Sequence, residues 1–250
     1  DTNPANQPAE TPHAEPADQT EGERVRAERE AVQTQSCFDF DELDELDPVE
    51  VPDAEKEERP YDIIIYGATG FSGSLMAEHL AALLTRSGSQ LKWAVAGRDL
   101  VKLKMVARGK SHKPDTVVVK TPDQLAQMVA STRVLIAAAG PYQLIGEDAV
   151  RECVNKRTHY IDITGEVPWV KKMIDRYHAR AKDLGVMIVH CAGAVCSPDE
   201  ILCYALVKKL GPLKQFREYF CQYGSMSGGT FQTSIATMRD MTPESFAAMR

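Results

Sequence analysis

Residues 61–73 read YDIIIYGATGFSG, an apolar run that breaks into three glycines spaced three apart, Gly67, Gly70 and Gly73. The run is apolar almost throughout, as expected of a strand covered on both faces. The residues that follow, FSGSLMAEHLAALL, set Leu75, Leu80, Leu83 and Leu84 on a helical stripe expected to be buried. The join is therefore strand, tight turn, helix. In such a join Gly67 makes the turn, Gly70 removes a side chain where an anion approaches, and Gly73 lets the helix pack closely on the strand. The helix start adds free N–H groups and the positive end of a dipole, so a pyrophosphate is the ligand the geometry suits. The spacing G-x-x-G-x-x-G is a variant of the G-x-G-x-x-G fingerprint, and glycines also serve ordinary turns, so context has to decide.

That context is an alternation of β-rich runs and helical periods. Candidate strands are DIIIY, KWAVAG, TVVVK, RVLIAAA, HYIDIT and VMIVHC. Between the last two, Val170, Ile174, Tyr177, Ala181 and Leu184 recur at helical intervals before Gly185 supplies a stop. Six strands alternating with helices predict an α/β fold, a doubly wound parallel sheet with its strand-to-helix loops along one edge. After residue 198 the period changes. PDEILCYALVKKL reads as helix, KQFREYFCQYG as strand and TFQTSIATMRDMTPESFAAMR as helix, with Thr242-Pro243-Glu244 a helix start. The expected organisation is an acidic extended tail over 1–59, a nucleotide-binding domain over 60–197, and the start of a second, α+β domain over 198–250.

Charge divides the chain in the same way. Residues 1–59 carry 19 acidic and 5 basic side chains, net −14, so against a total of −7 the remainder is net +7. Residues 1–36 are rich in Pro, Ala, Glu, Gln and Thr and are expected to be disordered. In the following CFDFDELDELDPVEVPDAEKEERP, Phe38, Phe40, Leu43, Leu46, Val49 and Val51 recur among acids. That segment is either a docking element for a protein partner or larger assembly, or a solvated linker. The basic body suits an anionic ligand or partner. It shows no RNA-binding signature with interleaved aromatics, so RNA contact is expected only as part of an assembly. Self-association stays open.

The longest apolar stretch, around VLIAAAG, falls far short of the roughly 20 residues that cross a bilayer. No Arg-rich or apolar presequence is visible, and a start at Asp1 fits a cleaved precursor or a fragment. Organellar, mitochondrial placement is the favoured expectation, with cytoplasmic or membrane-associated placement as the alternative. Cys37, Cys153, Cys191, Cys196, Cys203 and Cys221 form no CxxC pair or zinc spacing, so reduced, mostly buried thiols and no metal are expected.

The remaining loops extend the first one. In AGRDLVKL, Gly97 is followed by Arg98 where an acid would read the ribose hydroxyls of NAD; a fixed planar cation suits a 2′-phosphate instead, which favours NADP(H). Lys102, one helical turn on, is either a helper or a solvated charge. The glycine turn also brings Thr69 and Phe71 to the cofactor. AAAGPYQLIGE places Ala139, Gly140, Pro141 and Tyr142 where the nicotinamide end would lie, Tyr142 being either a proton donor or a packing residue. IDITGE brings Asp162, Thr164 and Glu166 to the same edge, to shape a cleft or to cap the following helix. His159 and His190 read as structural groups, and His79, His112 and His178 as surface ones. No Ser-His-Asp order, HExxH or paired-carboxylate arrangement assigns a catalytic residue.

Taken in order, YDIIIYGATGFSG, WAVAGRD, AAAGPYQLIGEDAVRECV, THYIDITGEVPWVKKMIDRYHARAKDLGVMIV and SGGT resemble the saccharopine dehydrogenase-like oxidoreductases, including their trans-acting enoyl reductase branch, over about residues 61–193. The resemblance implies a Rossmann domain, NAD(P)(H), and a second domain that holds substrate or a dimer interface. Two departures stand out. Where the family carries a segment like G-F-D-S-I-P-x-D, this chain reads GAVCSPDE, with Ala194, Val195 and Cys196 at the positions of Phe, Asp and Ser. Lys120 ends the third strand where relatives place an acid near the adenine. The family's proteins are also considerably longer. Two expectations follow: an NADP(H)-binding oxidoreductase, or a catalytically inactive Rossmann-fold subunit that is a structural or assembly component of a large complex, such as one of the mitochondrial ribosome type.

Overall fold

The structure is a computed structural model that describes residues 58–194, 196–219, 221 and 227–240. Residues 1–57 of the acidic tail, with its docking segment, and the helix start at Thr242-Pro243-Glu244 lie outside the described residues. Six parallel strands form one sheet in the order β3-β2-β1-β4-β5-β6. They are β1 (Tyr61–Tyr66), β2 (Trp93–Gly97), β3 (Asp115–Val118), β4 (Thr132–Ala137), β5 (His159–Asp162) and β6 (Ile188–Val189). The helices are α1 (Phe71–Ser87), α2 (Leu100–Ala107), α3 (Pro122–Ala130), α4 (Tyr142–Asn155), α5 (Val167–Asp183), α6 (Ser197–Leu210) and α7 (Gly228–Asp240). The chain reverses its direction of travel across the sheet between β1 and β4, and folds of this kind bind ligands at the carboxyl ends of the strands at such a switch point.

β1 is apolar on both sides because each side has its own core. Ile64 packs with Leu125, Met128, Val150 and Met173 of α3, α4 and α5. Its neighbour Ile65 packs with Ala77, Ala81, Leu84 and Leu103 of α1 and α2. Alternate strand residues thus enter opposite layers, and each fully buried isoleucine contributes roughly 2–3 kcal/mol. β2 is buried at every position for the same reason.

Several helical faces differ from the sequence reading. On α1 the inward residues are Gly73, Ala77, Ala81 and Leu84, while Leu75 and Leu83 are exposed. The helix start is in close approach: a Cβ on Gly73 would lie 2.8 Å from the Ala68 Cα, so it packs against the turn leaving β1 with no room for a side chain there. On α5, Trp169 and Met173 are buried and Ile174 is exposed. The sixth strand, expected over 186–191, shortens to Ile188–Val189 because His190 and Cys191 leave the ladder to bond Asp162. Residues 214–219 and 221 form no strand; no described strand pairs with them. Arg59, just ahead of β1, ties together the amino ends of β4 and β5: its guanidinium donates to Thr132 O, the Thr158 hydroxyl and Lys156 O at 2.5–2.6 Å.

Candidate cofactor site

Gly67 leaves β1 with φ +85°, a conformation that L side chains rarely adopt. Its amide and that of Ala68 both donate to Ala96 O of β2, at 2.9 and 3.2 Å. A Cβ on Gly67 would fall 2.7 Å from the Ala139 amide nitrogen, so this glycine carries both the turn and the contact with the loop after β4. Ala138 N donates to Tyr66 O at 2.8 Å and holds that loop in place, ahead of a cis bond between Gly140 and Pro141. Gly70 is the N-cap of α1 and is exposed, with Thr69 half-buried and Phe71 exposed beside it.

The helix starts along this edge are satisfied in different ways. At α2 the Asp99 carboxylate accepts from Val101 N and Lys102 N, at 2.9 and 3.1 Å. At α3 Thr121 Oγ1 accepts from Gln124 N, while Gln124 Oε1 accepts from Lys120 N at 2.8 Å. At α4 the buried Glu166 reaches across, accepting Tyr142 N on Oε1 at 2.9 Å and Gln143 N on Oε2 at 2.7 Å. Glu166 therefore caps the preceding helix and not the one it leads into. α1 alone among these four has no side-chain acceptor at its start and no acid in its first turn. Its amides and dipole are left for an anion from outside, and it is the helix behind the glycine turn.

Arg98 is exposed at the end of β2 and makes no ion pair among the described residues. Gly97, just before it, would place a Cβ 3.7 Å from Thr69 Oγ1, ordinary contact, so packing alone does not demand glycine there. The sheet thus gathers Gly67, Thr69, Gly70, Phe71, Gly73, Gly97, Arg98, Ala139, Gly140 and Pro141 along one edge. Tyr142 is turned inward. Its hydroxyl donates to Ala137 O at 2.7 Å, its ring lies 5.5 Å from that of Trp169, and burial with the Asp162 charge pushes its phenol well above the usual range.

The other end of the edge is organised by a buried carboxylate. Asp162 is fully buried; its Oδ1 accepts from Thr164 N and Cys191 N, both at 3.1 Å, and its Oδ2 receives His190 Nδ1 at 2.6 Å. Cys191 holds φ +61°, outside the usual range for a non-glycine residue, and that backbone turn is what aims its amide at Asp162. His190 stands edge-on to Tyr160 and Trp169. The altered loop then folds back on itself: Cys196 N and Ser197 N both donate to Gly193 O, and Ser197 Oγ donates to Cys191 O. Burial, with Cys196 nearby, pushes the Cys191 thiol up to about 11, so it stays protonated at neutral pH. The Asp162–His190 pair was hidden in the sequence because its partners are 28 residues apart. Among the described residues no group of three or more His, Cys, Asp or Glu side chains could hold a metal.

A doubly wound parallel sheet with one uncapped helix start behind a glycine turn defines a dinucleotide-binding domain of the Rossmann type. The family described as "Saccharopine dehydrogenase NADP binding domain" matches residues 63–189, and the chain belongs to it. It is 36% identical over 157 residues to the trans-acting enoyl reductase of Mycobacterium tuberculosis, a match that spans 61% of this chain and 37% of that protein. It is 32% identical over 205 residues to the lipid droplet localized protein of Caenorhabditis elegans, spanning 76% and 48% respectively. Among solved structures it is similar to saccharopine dehydrogenase (L-Glu forming) of Saccharomyces cerevisiae, with 15% identity and a TM-score of 0.48 over 60% of this chain and 31% of that one. The chain thus spans less than half the length of these curated relatives. Neither curated relative is named as a subunit of an assembly, and the inactive-subunit expectation finds no support. No described helix is long and apolar enough to cross a membrane.

Proposed function

We propose that this chain is the NADP(H)-binding domain of an oxidoreductase that reduces a double bond conjugated to a carbonyl. The observation that carries the cofactor half is the start of α1, open to an anion while its neighbours α2, α3 and α4 are each held by a side-chain acceptor. The Phe71–Gly73 amides would hold the pyrophosphate, Gly70 N being held by Gly67 O at 3.0 Å, Arg98 the 2′-phosphate, and the loop at Ala139–Pro141 the nicotinamide end. When bound, the reduced nicotinamide supplies a hydride. This chain's own residues orient it: Gly67 keeps the turn narrow against Ala139, and Glu166 and Asp162 fix the loops on the reacting side. The substrate class is supported by the relatives named trans-acting enoyl reductases.

Calorimetric titration of the purified chain with NADPH and then NADH, at fixed salt, tests the reading. Micromolar binding of NADPH with much weaker NADH is the expected outcome. Binding of neither would mean that the glycines now serve only to turn the chain, and the proposal would fall.

A further inference from the structure

We propose that Lys120, at the end of β3, is a second reader of the 2′-phosphate beside Arg98 and sets the choice of NADP(H) over NAD(H). This rests on the cofactor reading above and adds to it a residue that the glycine turn and Arg98 do not supply.

Register brings the two cations together. Gly97 pairs with Val118 in the parallel ladder, and Val119 N donates to Gly97 O at 2.9 Å. Arg98 and Lys120 are therefore the first exposed residues to leave two hydrogen-bonded neighbouring strands on the same edge. The Lys120 backbone is fixed, because its amide donates to Gln124 Oε1 within the cap of α3. Two acids lie close to them in sequence: Asp99, whose Oδ1 caps α2, and Asp123 in the first turn of α3, and neither forms an ion pair with Arg98 or Lys120 among the described residues. Neither Arg98 nor Lys120 has an ion-pair partner among the described residues, and neither does Lys102, whose amide Asp99 holds.

The backbone offers this anion nothing. The starts of α2 and α3, the two helices that flank the cations, are occupied by Asp99 and Thr121. Recognition at this end of the crevice thus falls to side chains: a planar guanidinium that binds phosphate oxygens in pairs, and a compact ammonium that adds charge. An adenosine carrying a ribose phosphate is the ligand chemistry that fits. It occurs as the 2′-phosphate of NADP(H) and as the 3′-phosphate of coenzyme A, and the cofactor edge selects the first.

The test is calorimetric titration of the 250-residue chain and its Lys120→Ala, Lys120→Arg and Lys104→Ala variants with NADPH, NADH, 2′,5′-ADP and 3′,5′-ADP. Lys120→Ala is expected to weaken NADPH and 2′,5′-ADP by roughly three- to tenfold and to leave NADH and the melting temperature of the free chain unchanged. Lys120→Arg restores binding, and Lys104→Ala, an exposed cation on α2 outside the crevice, has no effect. Wild-type affinity for 2′,5′-ADP in Lys120→Ala overturns the inference, as does an equal loss of NADH. Equal wild-type affinity for the two ADP isomers would overturn the assignment to the 2′ position. A wild-type chain that binds NADPH no better than NADH would instead bring down the NADP(H) reading itself.

Discussion

The two halves of the sheet's carboxyl edge solve the same structural problem in opposite ways. Over β4, β5 and β6 buried carboxylates organise the loops from within: Glu166 covers the start of α4, and Asp162 gathers two amides and an imidazole. Over β1, β2 and β3 the glycine turn leaves a helix start uncovered, and Arg98 and Lys120 have no ion-pair partner among the described residues. Unsatisfied groups normally weigh against a fold, so a concentration of them at one end marks where something else completes the structure. The closed half holds itself, and the open half is where the proposed cofactor would complete the structure.

The contrast breaks first at Gly67, which belongs to both halves. Gly67→Ala would force a side chain onto a left-handed backbone and against Ala139 N, at an expected cost of about 3 kcal/mol. Urea unfolding should show a clear fall in the midpoint and calorimetry a loss of NADPH binding; an unshifted midpoint would mean that the loop after β4 can move aside. Asp162→Ala strikes the closed half alone. It strips three donors of their acceptor and leaves the left-handed Cys191 without its anchor, which should cost about 2–4 kcal/mol. The part of the variant that remains folded should still bind 2′,5′-ADP as tightly as the parent. If that affinity fell with stability, the two halves would not be separable.

Arg98→Ala acts on the open half without touching its packing. A charge-assisted contact to phosphate contributes about 1.5–3 kcal/mol, so the variant should lose roughly ten- to hundredfold in NADPH affinity and bind both cofactors alike. Its thermal midpoint should match the parent's. An unchanged NADPH-to-NADH ratio would show that Arg98 does not read the phosphate.

The open half was legible in the sequence because its information is local. A strand, a glycine turn and a helix start occupy thirteen consecutive residues, and Arg98 follows its glycine directly, so residue type and spacing carry the geometry. The closed half was not legible, because its determinants act at a distance. Glu166 lies just before α5 yet serves α4, 24 residues back, and nothing in ITGE says which helix it caps. His190 reads as structural, but its partner is set by the pairing of β5 with β6 and by the turn at Cys191. Helical stripes were half right for a similar reason. Periodicity locates apolar positions, but packing against the turn that leaves β1 is a tertiary contact, and on α1 Gly73, Ala77 and Ala81 go inward while Leu75 and Leu83 are exposed.

The smallest expected effect concerns how the closed half is braced from outside. Glu147 on α4 accepts from Lys172 Nζ at 2.9 Å, from Arg176 and from the Tyr177 hydroxyl, all on α5. These partners, Lys172 foremost and against the opposing effect of burial, hold its carboxyl down to about 2 from an ordinary 4.5. A folded-state pKa below the unfolded one means that the unfolded chain takes up the proton first as acid is added. The brace is therefore present in full above the ordinary carboxylate range and is lost as pH falls through 4.5 towards 2. The cations are about half exposed, so solvent screening limits the contribution to ~1 kcal/mol. Glu147→Gln should be less stable than the parent by about that much near neutral pH, and urea midpoints of the two should converge as acid is added. Parallel curves would mean that the ion pairs contribute nothing and that α4 and α5 are held together by Trp169, Met173 and their apolar neighbours alone.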